Sequence, residues 1–437
     1  MKGSARGRSD SVLRGTLTNL ATRTLGVAAV LLITVFTARL STEAQGAFAL
    51  FTSVEGVLLA LLSGFGVALA RRVSHHGEQP RALLSAMALA CVALGVLAGM
   101  VLWAVSAWGP AAYRWLWLLA LGAPVLLVAP NLAGWWLGEG RMAPMARVSL
   151  APPLLALLLL CLLWLLQRAG LVQVLASWVL AKVLVGLALL LILLRAGRLV
   201  APDFAAMRAE LPFIATIGLT NLIGLLNYRV GLFVVERVLG LSATGVYSIA
   251  VVVAELLWFV SSSLTQAVYG RIGTPDRAQA AATTVRVVQL GVAALLVAAP
   301  LLWLLAVVAV PWVLGPAYTA SLWPLALLLP GAMLFGGAGA LSAYFTNHAG
   351  LPQVPARVAA LSLAINATLA TLLVPLLGTA GAALAASAAY SSSVAVLAWQ
   401  FARHAGLPLR ALCWPGPQLG ADLRSLLAGL ASLRQRG

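Results

Sequence analysis

The stretch "TSVEGVLLALL" (residues 52–62) sets one carboxylate, Glu55, among residues that are otherwise apolar or small. It lies within an apolar run over 45–69, and a helix needs roughly 20 such residues to cross the hydrocarbon core of a bilayer. Comparable runs recur along nearly all of the 437 residues, of which 62% are hydrophobic and 9% charged. Mean hydropathy is +1.01, whereas soluble domains are about 25% charged. In lipid every backbone polar group must be satisfied within its own segment, so such runs are expected to be helices. The chain reads as an all-α polytopic membrane protein with no separate soluble domain.

Breaks marked by charge, Pro or Gly divide the chain into twelve expected spans. They fall at 14–38, 45–69, 82–107, 113–137, 144–166, 173–194, 212–235, 243–268, 285–309, 321–346, 356–376 and 380–402. The basic start "MKGSARGRSDSVLRG" resembles a signal peptide, but the run behind it is long and lacks a small-x-small cleavage site, so it is expected to be retained. Twelve spans put both termini on one side, and the basic residues say which. Of 28 Lys and Arg, 21 lie in or at the edge of the termini and even-numbered gaps, against Arg39, Arg114, Arg168 and Arg237 in or at the edge of odd-numbered gaps. The positive-inside rule therefore places both termini in the cytoplasm. The same rule accounts for the net charge of +17, and no nucleic-acid partner is expected. Trp108, Tyr113, Trp115, Trp312 and Tyr318 fall at the other face, as an interfacial belt would. Cys91, Cys161 and Cys413 have neither disulfide nor metal-ligand spacing.

Two stretches about 200 residues apart resemble each other. "LTNL" occurs at 17–20 and 219–222, "TEAQGAFAL" (42–50) matches "LSATGVYSI" (241–249), and Glu55 is followed by a counterpart at Glu255. Both second helices end in basic residues, Arg71 and Arg72 in one and Arg271 in the other. An offset of six spans preserves orientation, so two six-helix bundles are expected, related by a pseudo-twofold axis along the membrane normal and enclosing a central cleft. The expected divisions are 1–195, a cytoplasmic linker 196–211, 212–402, and a tail 403–437. From about Ala421 that tail puts Leu423, Leu426, Leu427, Leu430 and Leu433 on one helical face, as a surface helix would.

Five ionisable residues fall well inside spans, away from their ends: Arg23, Glu55, Lys182, Arg229 and Glu255. Each opposes insertion by about 2.5–3.5 kcal/mol at a helix centre, so each is expected to meet a partner or a wet cavity. Two arrangements fit. Arg23 with Glu55 and Arg229 with Glu255 are candidate structural ion pairs; alternatively the cations line a path for an anionic ligand while the acids balance charge or take up a coupling ion. Lys182 has no obvious partner in the sequence. "GVLAG" (95–99) matches the GxxxG packing pattern, a match expected by chance among 40 glycines. His75, His76, His348 and His404 are scattered at cytoplasmic ends and read as solvated.

At this point the residues resemble the bacterial lipid-linked oligosaccharide (O-antigen-type) flippases of the MATE-like superfamily. The resemblance rests on "NYRVGLFVVERVLGLSATGVYSIAVVVAEL" (227–256), "VLGPAYTASLWPLALLLPG" (313–331) and "INATLATLLVPLLGTAGAALA" (365–385). It covers nearly the whole chain without a single diagnostic motif. Members often carry an acid shortly after the Arg of the seventh helix, where this chain has Gly231; Glu255 is the nearest substitute.

The family implies transport of a polyprenyl-diphosphate-linked oligosaccharide from the inner to the outer leaflet of the bacterial inner membrane, for O-antigen, capsule or exopolysaccharide assembly alongside other assembly proteins. Guanidinium groups meet phosphate oxygens in bidentate geometry. Arg23, Arg229 and Lys182 are therefore the expected diphosphate contacts, with Glu55 and Glu255 as balancing or coupling acids. Asn19, Asn221, Asn227, Gln266 and Asn366 are the expected polar lining. No cofactor is expected beyond a coupling proton or Na+. A cation-coupled multidrug exporter of the same superfamily is the nearest alternative, although three bases against two acids inside spans leans away from it. A membrane glycosyltransferase or polymerase would need a larger loop than 195–211 or the tail supplies, so a transporter rather than an enzyme is expected.

Overall fold

The computed structural model describes Thr22, residues 24–76 and residues 80–413. Asn19, Arg23 and the expected surface helix of the tail lie outside the described residues. All regular elements among the described residues are helices. In chain order they are α1 (Thr24–Leu40), α2 (Thr42–Ser74), α3 (Arg81–Trp108), α4 (Leu116–Gly138), α5 (Met142–Leu165) and α6 (Leu171–Arg195). The run Phe204–Ile272 then bends at Gly240 into α7 (204–239) and α8 (241–272). After it come α9 (Arg277–Leu314), α10 (Pro316–His348), α11 (Gln353–Leu377) and α12 (Thr379–Ala405). Ten helices among the described residues are long and apolar enough to span a bilayer; the bent one supplies two spans, and the shorter α1 brings the number to the expected twelve.

The breaks follow local chemistry. Ser41 caps α2 by accepting a hydrogen bond from the Ala44 N–H. Gly240 (φ 81°) and Gly378 (φ 63°) turn the chain between α7 and α8 and between α11 and α12, conformations that a residue with a β-carbon enters only at a cost. The expected linker 196–211 is in part helical, because α7 begins at Phe204 and runs through Pro212.

Backbone contacts divide the chain into two compact units. One runs to Leu226 and includes Gly240–Gly245; the other comprises Asn227–Leu239 and everything from Val246 onward. In the first unit α4 is central, with 72% of its apolar window buried, whereas only 17% of the α5 window is. In the second, α9 and α11 are similarly peripheral. Leu158, Leu301 and Leu376 on these outer helices are exposed, as lipid-facing residues would be.

Helices of the first unit approach one another through glycines. A β-carbon on Gly95 would lie 2.5 Å from the Ala123 carbonyl oxygen, and one on Gly99 would lie 2.8 Å from that of Ala120. "GVLAG" is thus a working close-packing motif between α3 and α4, correcting the expectation of chance. The two stretches of similar sequence also meet. A β-carbon on Gly46 would collide with the Leu241 carbonyl, and one on Gly245 with the Thr42 carbonyl, while the Thr42 and Ser242 hydroxyls lie 2.8 Å apart. In the alignment of "TEAQGAFAL" with "LSATGVYSI", Thr42 corresponds to Leu241 and Gly46 to Gly245. The contact between the two stretches is therefore reciprocal.

Candidate functional site

Each unit brings together one acid and one base that the sequence places inside spans. In the first, α2 carries Glu55 into the apolar interior, where it is 2% exposed. Both its oxygens are met by α6. Trp178 donates its indole N–H to Oε2 at 2.6 Å, and the Lys182 ammonium pairs with Oε1. Trp178 and Lys182 lie four residues apart, one helical turn, and so share a face. The ammonium also sits 4.2 Å from the Trp178 ring centroid, a cation–π contact, and Phe48 packs edge-on against the same indole. Lys182, without an obvious partner in the sequence, is the described partner of Glu55.

In the second unit α7 and α8 bring Arg229 and Glu255 together as expected. The guanidinium grips the carboxylate with both terminal nitrogens, at 2.8 Å and 3.3 Å. Unlike Glu55, this pair is open: the side chains are 24% and 25% exposed. It borders a small pocket lined by Tyr228, Tyr247, Glu255, Trp258 and Tyr390 among others. The rings of Tyr228, Trp258, Phe335 and Tyr390 pack on one another with centroids 4.8–6.2 Å apart. A β-carbon on Gly231 would come 3.0 Å from the Tyr247 hydroxyl. The position where the resembling family often has an acid is thus filled here by a buried tyrosine from α8.

The polar residues expected to line a cavity are in different situations. Asn227 and Asn366 are 2% and 1% exposed, so they line no open space. Asn366 donates to the Asn227 carbonyl at 2.7 Å and Asn227 donates to the Ser362 hydroxyl at 3.0 Å, tying α7 to α11. The reason is thermodynamic: buried amides are retained where the protein supplies them with hydrogen-bond partners. Asn221 is exposed and donates to Ser63 at 2.7 Å, and Gln266 is exposed. His348 and His404 are half-buried, not solvated as expected. Tyr247, Trp258 and Tyr390 were not singled out by sequence reasoning for this pocket, since they come from α8 and α12 and converge only in three dimensions. Trp178 had a local signal, its position one turn before Lys182.

No family model matches the sequence, and no curated protein matches it. Solved structures do. One is a multidrug resistance MATE family transporter of the MOP superfamily in an inward-facing conformation, with a TM-score of 0.70 and 16% identity over 90% of this chain and 98% of that one. The fold is that of the MATE transporters. An outward-facing member matches with a TM-score of 0.67 and 17% identity, over 90% of this chain and 95% of that one. A MOP superfamily transporter from Pyrococcus furiosus, described as having a binding pocket of reverse polarity that suggests a different function, matches with a TM-score of 0.64 and 16% identity. It covers 92% of this chain, which covers 96% of it. The neighbours are transporters, not enzymes.

Proposed function

We propose that this chain is a multi-pass transporter of the bacterial inner membrane, with both termini cytoplasmic, that flips a polyprenyl-diphosphate-linked oligosaccharide from the inner to the outer leaflet by alternating access. The observation that carries the reading is the Arg229–Glu255 pair, bidentate yet a quarter exposed beside a pocket. A diphosphate presents the same paired oxygens as a carboxylate, so it exchanges with Glu255 on the Arg229 fork. The displaced Glu255 is then the natural acceptor for a coupling proton or Na+. Lys182 holds Glu55 and is a positioning cation in the described state. Arg23 remains a proposed diphosphate contact on the strength of its sequence position.

The test is transport in proteoliposomes loaded with a fluorescent polyprenyl-diphosphate glycan, reading the fraction reached by an external glycosidase. Arg229→Lys keeps the charge and removes the fork; it should insert normally and leave the glycan on the loading side. Transport at the wild-type rate by Arg229→Lys and Arg229→Ala would remove the diphosphate role.

One observation favours a second reading. The pocket combines an acid with stacked aromatic rings, the surroundings that hold organic cations, and the first two neighbours are multidrug resistance transporters. In a cation exporter Glu255 takes the substrate, so Glu255→Gln abolishes ethidium efflux. Under the flippase reading no ethidium efflux is measurable in the wild type.

A further inference from the structure

We propose that the second unit carries an anion site for a phosphate group at the ends of α8, α10 and α12, built from Arg277, His404 and Asn347 with His348 beside them. The arginine distribution assigns this end to the cytoplasm. An arginine at such a helix end is ordinary. The groups around it are not.

The last turn of α10 is a single π turn, Tyr344–His348, a distortion often found at functional sites. It presents Tyr344, Asn347 and His348 together. The Tyr344 hydroxyl lies 3.1 Å from His404 Nδ1, and the positive charge of Arg277 bears on both groups. Arginine only donates. Beside a cation the tyrosine turns its oxygen toward the charge and its hydrogen toward Nδ1, which leaves the proton of the neutral His404 on Nε2, a donor aimed away from the tyrosine. A similar inference applies to His348. Its Nδ1 is 2.7 Å from the Thr274 carbonyl oxygen, which only accepts, so Nδ1 carries the hydrogen.

Asn347 adds the decisive group. The Tyr269 hydroxyl donates to Asn347 Oδ1 at 3.0 Å, which orients the amide, and the buried Nδ2 has no hydrogen-bond partner among the described residues. Buried donors are nearly always satisfied. Nor does Arg277 have a carboxylate within ion-pair distance among the described residues. The adjacent Asp276 is spent on capping α9, accepting from the Ala278 and Gln279 N–H groups. A guanidinium without a carboxylate, an amide N–H without an acceptor and an imidazole beside them call for a ligand that only accepts, and a phosphate group is the acceptor-rich anion they fit.

Its source is either a lipid headgroup or free phosphate, and the experiment separates them. The full chain is purified, and its thermal stability is followed in detergent against inorganic phosphate and, separately, in phosphatidylcholine nanodiscs with and without phosphatidic acid. Stabilisation by inorganic phosphate supports a soluble ligand; stabilisation by phosphatidic acid alone supports a headgroup. In either case Arg277→Gln and His404→Gln should weaken binding about tenfold or more, the size expected for losing a charge-assisted hydrogen bond. Arg195→Gln, an exposed arginine at the end of α6, should leave it unchanged. Arg277 is itself exposed, so Arg277→Gln is expected to fold and decides the matter alone. Absence of stabilisation by both probes, or binding by Arg277→Gln equal to wild type, overturns the site.

Discussion

Replacing Lys182 should damage the protein more than replacing its partner. Glu55 is 2% exposed and receives both its bonds from α6, whereas the Lys182 side chain is 18% exposed. Lys182→Met leaves a carboxylate in an apolar seam with one indole N–H as its only described donor. Removing one partner of a buried pair costs about 3–5 kcal/mol, because the other charge stays uncompensated. Glu55→Gln keeps an oxygen for Trp178, and the long lysine can move its ammonium toward its open side, so the loss there should be about 1–2 kcal/mol, near that of one hydrogen bond. Replacing both residues by a neutral pair removes the stranded charge, so Glu55→Gln combined with Lys182→Met should recover at least half of the stability that Lys182→Met loses. The assay is thermal unfolding of the purified protein in detergent, read as a double-mutant cycle. A Lys182→Met protein as stable as wild type, or a double variant no better than Lys182→Met, would refute the argument that the pair exists to neutralise Glu55.

Further outcomes follow from other contacts. Gly46→Val and Gly245→Val each force a side chain into a backbone carbonyl of the facing segment, and both should abolish accumulation of folded protein, checked by size-exclusion of the fluorescently tagged chain. Thr42→Cys with Ser242→Cys replaces hydroxyls 2.8 Å apart and should form a disulfide under mild oxidant, seen as a reducible loss of thiol labelling. Gly231→Asp sets a charged side chain against the buried Tyr247 hydroxyl and should lower the melting temperature; Tyr247→Ala in the same chain should restore part of it. Glu139 lies just beyond α4. Burial raises its pKa, but hydrogen bonds from Trp135, Arg198 and Arg141 outweigh that and hold it below the usual 4.5. A depressed folded pKa stabilises above the unfolded value and fades as pH falls through the folded one. The stability gap between wild type and Glu139→Gln should therefore stay constant from neutral pH down to about 5 and shrink below 4.5.

Span number, span order and most boundaries were legible because bilayer crossing is a local property: twenty apolar residues announce themselves without reference to the rest of the chain. The bend at Gly240 and the pairing of Arg229 with Glu255 are local too, since both residues flank one turn. What stayed hidden is non-local. Glu55 and Lys182 are 127 residues apart, and nothing in either neighbourhood names the other. The glycines of "GVLAG" are indistinguishable in composition from those that pack against nothing. Asn227 and Asn366 read as cavity lining because a polar residue in a span must be satisfied somehow, and sequence does not say whether by water or by each other. The aromatic pocket needs α7, α8, α10 and α12 at once.

The two charge pairs share their chemistry and differ in what surrounds them, and that difference assigns them different work. Glu55 has its carboxylate met on both oxygens by one rigid helix face, with an indole that has no other described acceptor and an ammonium one turn along. Exchanging that partner would strand a charge in a dry seam, at a cost of several kcal/mol. Among the described residues Glu255 accepts from a single guanidinium, at the edge of a pocket, so an incoming anion loses little in displacing it and a released carboxylate meets the pocket rather than hydrocarbon. The proposed transport cycle needs one site that changes partners and a frame that does not. By burial alone, Arg229 and Glu255 are suited to the first task and Glu55 with Lys182 to the second. If substrate chemistry ran through Lys182 instead, Lys182→Arg would keep the charge and alter substrate selectivity while Arg229→Lys left it untouched, the reverse of the order that exposure dictates.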